Sequence, residues 1–312
     1  MEAKRLGLPG PNPNAIALCR DKDRQSAALR AAGISVPSSA KVRTECDIGD
    51  AIKKIGLPAV TKPISGTGSI GVTLADTETG ASDALRKLLR TTNDMRGRPI
   101  QPSALLMSYV AGKEYSVEIL DSKIIGVTRK HLGPLPHFVE IGHDIPAPIS
   151  SRLRVKIENE ALRAIQVLGH LKGPAHVELR VCDDCVTIIE VNPRLAGGSI
   201  PTLFRYTTGF DPVLAVLRSL LGMSLAALTE GAHGSIRFIV PERDGSFALP
   251  PDCEQLVERV GLTEFVLYQT PPLQFRRCND FRDRIGHVIA VGDDPATVAQ
   301  RAEAAIAFIL GQ

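Results

Sequence analysis

The sequence contains no tryptophan, and aromatic residues make up only 4% of its 312 positions. Stacking platforms for single-stranded nucleic acid are therefore not evident. An excess of one charge is also missing, since 37 Lys and Arg stand against 34 Asp and Glu for a formal balance of +3. That balance gives no case for nucleic acid or an acidic membrane surface as partner. No apolar run approaches the roughly 20 residues of a membrane-spanning helix. The stretch around Leu220 to Leu228 is among the longest and falls well short. Met1-Glu2-Ala3-Lys4-Arg5 leads into Gly and Pro instead of an apolar segment, so no secretory leader is expected. The six cysteines, at 19, 46, 182, 185, 253 and 278, are too scattered for a disulfide framework and read as reduced thiols. A soluble, cytoplasmic protein is expected.

What is present is 44% hydrophobic content, enough for a sizeable core. Gly and Pro punctuate the chain into four parts. Residues 1–37 read as a short lead and a helix from Asn14 to Ala32 that carries Lys22. Residues 38–104 alternate strand, turn and helix as a small α/β unit. Residues 105–225 begin with Leu105-Leu106-Met107 and a hairpin, Glu114 to Leu120 and Lys123 to Thr128, turned by Asp121-Ser122. A loop rich in Pro, Gly and His follows from His131 to Ile149, then a helix from Ser151 to Leu168 with apolar positions at helical spacing. Two strands flanking Asp183-Asp184 and a helix at Pro212 to Leu221 complete this part. Residues 226–312 form a β-rich portion that completes the large lobe, ending in a helix that starts at Pro295 with Asp294 as N-cap. The fold class expected is α+β with mostly antiparallel strands.

The strongest local chemistry lies in Ala175-His176-Val177-Glu178-Leu179-Arg180-Val181 and Thr187-Ile188-Ile189-Glu190-Val191-Asn192-Pro193-Arg194. Side chains alternate faces along a strand, so His176, Glu178 and Arg180 share one side, and Glu190 and Asn192 share one side of the partner. A three-residue turn, Asp183-Asp184-Cys185, places Glu178 opposite Glu190, and this register is the one expected. A two-residue turn instead pairs Glu178 with Ile189 and sends the carboxylates to opposite faces. Facing carboxylates repel unless something positive lies between them. Two carboxylates and an amide oxygen are the hard ligands that Mg²⁺ takes alongside phosphate. From spacing alone, a solvated face neutralised by Arg180 or Arg194 fits equally well.

The second feature is Ser65-Gly66-Thr67-Gly68-Ser69-Ile70-Gly71, preceded by Lys62 on a strand. Backbone amides of such a loop can wrap anionic oxygens closely. It is neither a Walker A loop nor a dinucleotide fingerprint, because no Lys-Ser/Thr follows the glycines and a strand comes next. A hairpin laid over phosphates fits better, with a flexible turn as the plain alternative.

With both features in hand, the chain resembles the ATP-grasp superfamily, most closely its carboxylate-amine ligases of the bacilysin-type L-amino acid ligase group. The matching segments are Leu6-Gly7-Leu8-Pro9-Gly10, Asp21-Lys22, Thr61-Lys62-Pro63 with the Gly-rich loop, Gly112 to Glu118, Gly173 to Glu178, and Ile189 to Gly198. The resemblance implies an ATP-grasp fold, with a small α/β lid subdomain and a larger antiparallel-sheet subdomain. It also implies ATP with Mg²⁺, or Mn²⁺ in its place. By it, Lys22 and Lys62 hold ATP, Ser65, Gly66, Gly68 and Ser69 belong to a mobile lid, and Met107, Ser108, Tyr109 and Val110 form the adenine hinge. Glu114 binds the ribose hydroxyls. Glu178, Glu190 and Asn192 coordinate magnesium, and Arg194, with Lys62, stabilises the transferring phosphoryl group. The implied activity joins a carboxylate to an amine through an acyl phosphate, on an amino acid or related small metabolite. Alternatives are a nucleotide-binding subunit without turnover or a purine-pathway or carboxylase-type enzyme.

Met107 stands where many relatives have an acidic residue, so backbone groups are expected to meet the adenine amino group. Relatives also carry an N-terminal α/β domain before the Leu6 to Gly10 segment, and this chain begins almost at that segment. Three expectations stand side by side: the sequence is truncated, a partner chain supplies that lobe, or the enzyme works without it; a homodimer is a further expectation. Glu140 and His143, with His137 and Asp144, fall in the loop that lines the family's substrate pocket, though plain surface fits them too. His176, Arg205, Gly197 and Gly198 are further substrate candidates, against a satisfied histidine and an ordinary helix start. Cys182-Asp183-Asp184-Cys185 has a redox or half-zinc spacing but no second pair, and reads as a turn.

Overall fold

A computed structural model describes residues 5, 9–94, 97–225, 231–251 and 253–311. The helix expected over 14–32 is two helices, α1 (Pro13–Arg20) and α2 (Lys22–Ala31). Asp21 separates them: its backbone is extended and its carboxylate accepts from the N–H groups of Asp23 and Arg24 at 3.1 Å each. That N-cap makes Lys22 the first residue of α2. Residues 6–8 of the Leu6 to Gly10 segment lie outside the described residues.

The small unit is a four-stranded sheet of β1 (Ser39–Val42), β2 (Ala59–Pro63), β3 (Thr73–Ala75) and β4 (Ala104–Ser108), ordered β1-β4-β2-β3. Helices α3 (Ile48–Ile55) and α4 (Glu78–Leu89) pack on it through Ile48, Ile52, Ala81 and Leu85. Because β4 belongs to this sheet, a boundary at residue 104 would cut the unit.

The large unit is built on β5 (Lys113–Leu120), β6 (Lys123–Leu132), β7 (Glu140–Ile145), β8 (Pro174–Cys182), β9 (Cys185–Asn192) and β10 (His233–Ile239). A two-stranded ribbon of β11 (Gly245–Phe247) and β13 (Leu273–Phe275) stands apart, while β12 (Glu264–Leu267) and β14 (Gly286–Gly292) extend the main sheet. Its order is β12-β14-β10-β7-β6-β5-β8-β9, so residues from both sides of position 225 share one sheet. All the pairings are antiparallel. Helix α5 (Ser151–Val167) buries Ile157, Ala161 and Ile165 against Val117, Val177 and Leu179 on one face. Helices α6 (Ile200–Thr208) and α7 (Pro212–Leu220) follow β9, and α6 packs Leu203 and Phe204 into a cluster with Ile125 and Ile236. At the far end α8 (Leu256–Val260) and α9 (Pro295–Leu310) close over β10 and β14. Among the described residues no helix is long and apolar enough to cross a membrane.

Two expectations are corrected here. The stretch 131–149 is not a loop throughout, since β6 runs to Leu132 and β7 occupies Glu140–Ile145. The turn between β8 and β9 has two residues, not three: Asp183 and Asp184 both have positive φ, and Cys182 pairs with Cys185. Glu178 still pairs with Glu190, because Ile189 is an extra residue in a β-bulge between Glu178 and Leu179. Bulges of this kind re-aim the following side chains. The β5/β6 hairpin repeats the device. Asp121 and Ser122 form its two-residue turn, and an irregularity at Glu118/Ile119 brings Glu114 opposite Lys130.

Candidate active site

The face of the large sheet opposite α5 is polar, and together with the small unit it walls a cleft enclosing about 920 Å³, part of it open to solvent. Lys22, Lys62, Met107, Ser108, Tyr109, Val110 and Glu114 line it, as do Gly66, Gly68 and Ser69 of the Gly-rich loop. Glu140, Glu178, Glu190, Asn192 and Arg194 line the other side. The structure thus gathers into one cleft groups separated by up to 172 positions in the chain. Ser65 is exposed and stands outside this lining. Arg205 is exposed on α6 with its guanidinium over Tyr206, 5.5 Å from the ring centre, and does not reach the cleft.

The carboxylates are balanced by cations. Glu190 lies 3.0 Å from Lys22 Nζ, and Lys22 also donates to the Gly66 carbonyl at 3.2 Å. Asn192 Nδ2 donates to Glu178 at 3.4 Å. Lys62 is buried, and burial pulls its pKa below the ordinary lysine value although Glu190 and Glu178 oppose that pull. Among the described residues, no group of three or more His, Cys, Asp or Glu forms a metal cage by itself. Two carboxylates and one amide oxygen meeting at a cleft lined by lysines fit a magnesium ion that takes its other ligands from phosphate and water.

Sequence reasoning missed Lys130. Its side chain is 1% exposed, and its ammonium contacts Glu140 at 2.7 Å, Glu114 at 3.2 Å and Glu178 at 3.3 Å. Burial opposes its charge, but the three carboxylates outweigh burial and raise its pKa well above the usual value. Glu178 is driven the other way: burial would raise it, and Lys130 with His176 holds it well below the carboxylate range. Residue types alone gave no signal for Lys130, because only the bulge in β5/β6 turns it to this face.

His176 does not line the cleft; it stands behind Glu178. Its Nδ1 lies 2.9 Å from Glu118 and its Nε2 3.2 Å from Glu178. Burial disfavours its charge, yet the two carboxylates raise its pKa to about 9. Arg180 grips Glu114 at 3.0 Å and the Val110 carbonyl at 2.8 Å, while the Tyr109 N–H is taken by the Pro58 carbonyl at 3.2 Å. Part of the expected adenine hinge is therefore committed within the protein. His143 is fully buried, and neither ring nitrogen has a hydrogen-bond partner. Its Nε2 is 3.7 Å from Glu140, too long for a hydrogen bond. Burial lowers its pKa to about 3, so the ring is neutral. Gly198 approaches it so closely that a Cβ there would lie 2.5 Å from Nε2. Nothing lies within 4 Å of a Cβ placed on Gly197.

Comparison with known proteins gives the same organisation. Residues 55–202 match the ATP-grasp domain, and residues 237–310 match the L-amino acid ligase C-terminal domain 2. The chain is 30% identical over 303 residues to the uncharacterized protein y4rH of Sinorhizobium fredii, covering 96% of this chain and 63% of that protein. It is 28% identical over 232 residues to carnosine synthase 1 of Mus musculus, covering 68% of this chain and 28% of that protein. The chain thus spans less than two thirds of the length of either relative. The crystal structure of an L-amino acid ligase from Bacillus licheniformis has the same fold, with a TM-score of 0.81 at 20% identity over 97% of this chain and 74% of that one. The chain thus carries a match to the ATP-grasp domain followed by a match to the L-amino acid ligase C-terminal domain 2, in the order that the fold sets out.

Proposed function

We propose that this chain carries the catalytic cleft of an ATP-dependent carboxylate-amine ligase acting on amino acids. The observation that carries this reading is the meeting of Glu178 and Glu190 across one ladder, beneath Lys22, Lys62 and the Gly-rich loop. A substrate carboxylate oxygen attacks the γ-phosphorus of ATP, ADP leaves, and an acyl phosphate forms. The amine then attacks the acyl carbon, phosphate leaves, and the nitrogen loses a proton. Phosphoryl transfer of this kind needs positioning and charge neutralisation more than covalent help.

Lys62 and Lys22 supply fixed positive charge to the phosphates, and Arg194 does so at the transferring group. Glu178, Glu190 and Asn192 would hold Mg²⁺, which neutralises phosphate charge when bound. His176 and Lys130 hold Glu178 in place and ionised. Amino acids are supported as substrates by the C-terminal domain match and by the name of the mouse relative. His143 and Gly198 stand outside the cleft lining, with His143 fully buried, whereas Glu140 lines the cleft and is the candidate of that strand for substrate contact.

The deciding experiment is phosphate release from ATP across a panel of amino acids and related amines. The reading requires release that depends on both a carboxylate and an amine. Nucleotide binding with no substrate-triggered release from any pair would sink it.

A further inference from the structure

A short turn of the C-terminal domain, Phe281–Asp283, touches the Gly-rich loop of the small unit. Phe281 donates its backbone N–H to the Gly68 carbonyl at 3.2 Å. Its ring lies so close over Gly68 that a Cβ there would be 2.4 Å from Phe281 Cδ1. Gly68 has φ +68, so a side chain at this position meets both the ring and an unfavourable backbone region. The turn itself is braced. Asp283 is fully buried and accepts from the N–H groups of Cys278 and Asn279 at 2.6 and 2.8 Å, and Asp280 binds the Arg282 guanidinium. Three residues past Phe281, Arg284 donates to the Glu140 carbonyl at 2.9 Å and its carboxylate at 2.8 Å. Glu140 in turn contacts Lys130, which reaches Glu178.

One braced turn therefore holds the loop on one side of the cleft and the carboxylate cluster on the other. We propose that Phe281 is a positioning residue for the phosphate loop: by seating Gly68 under its ring, the C-terminal domain sets the loop at the height where it meets the nucleotide. This rests on the ATP-site reading above. Substituting Phe281 leaves the charged groups of the cleft in place, so its effect separates from theirs. Because Phe281 is only partly buried, its replacement leaves the core of the C-terminal domain intact.

The test uses the full chain without nucleotide. In Phe281→Ala, hydrogen exchange at amides 66–71 should accelerate about tenfold, with the amides of β2 unchanged. Phe281→Leu, which keeps apolar bulk, should fall between. Nucleotide affinity should weaken roughly fivefold in Phe281→Ala. Gly68→Ala should perturb the loop strongly in the parent chain and much less in the Phe281→Ala background, a non-additivity that a contact pair requires. Unchanged exchange, or additive effects of the two substitutions, overturns the proposal. Faster exchange with unaltered nucleotide affinity also overturns it, by removing the positioning role. If the parent chain binds no ATP at all, the ATP-site reading falls and this role with it.

Discussion

Glu190 and Lys130 show how differently two charged residues in one cleft respond to replacement. Glu190 is 15% exposed at its side chain and pairs with Lys22 at the cleft wall, so the fold depends on it little. Glu190→Gln keeps the shape and removes a charge that the proposed metal site needs. ATP-dependent phosphate release should fall at least about a hundredfold. The thermal midpoint should move by no more than a few degrees; retained turnover would remove Glu190 from the metal site. Lys130 is the reverse case. Lys130→Met removes the cation that Glu114, Glu140 and Glu178 share and leaves them Arg180, Arg284 and His176 as separate partners; breaking a buried ion pair from one side costs about 3–5 kcal/mol. Denaturant unfolding should show that loss. A variant as stable as the parent would mean the three carboxylates are protonated or solvated instead.

At the scale of elements, the separation of α1 from α2 rests on one carboxylate. Asp21→Ala removes the acceptor for the N–H groups of Asp23 and Arg24 and should cost about 1 kcal/mol in chemical denaturation. Because Lys22 is the next residue, nucleotide affinity should drop as well, and Asp21→Asn should restore most of both. Equal stability of all three proteins would show that α2 is held by packing alone. The same scale explains what the sequence made legible. Apolar spacing gave α5 almost to the residue, and Asp294 with Pro295 gave the start of α9. The chain segments of β8 and β9 were legible from alternation.

Strand β7 was not, because Glu140, His143 and Asp144 face polar partners or the site, and the run has no apolar period to read. The two bulges were equally hidden. Ile125 and Ile189 look like any strand isoleucine, yet without them two-residue turns would set Glu114 and Glu178 opposite the wrong neighbours. The facing of Glu178 and Glu190 was anticipated with the wrong turn length. Lys130 could not be placed at all without the first bulge.

The whole molecule brings a small sheet, a large sheet and a C-terminal layer together around one polar cleft, and that cleft is where its buried ionisable groups concentrate. Most of them are ion-paired, so their charges persist across ordinary pH. His143 is one exception, a fully buried imidazole with no hydrogen-bond partner and a pKa lowered to about 3 by burial. In the unfolded chain a histidine takes up its proton near pH 6.5. Between pH 6.5 and 3 the unfolded state therefore binds more protons than the folded one, and stability falls as pH drops through that window. Above pH 6.5 this group adds no pH dependence. His143→Gln removes the titration while keeping a polar side chain of similar reach. The stability difference between parent and variant should be flat above pH 6.5 and shift against the parent by about 2 kcal/mol on going to pH 5. Denaturant midpoints at four or five pH values would measure it. A constant difference across that range would mean that His143 protonates in the folded protein, and that the interior around Gly198 admits water or a carboxylate that pairs with it.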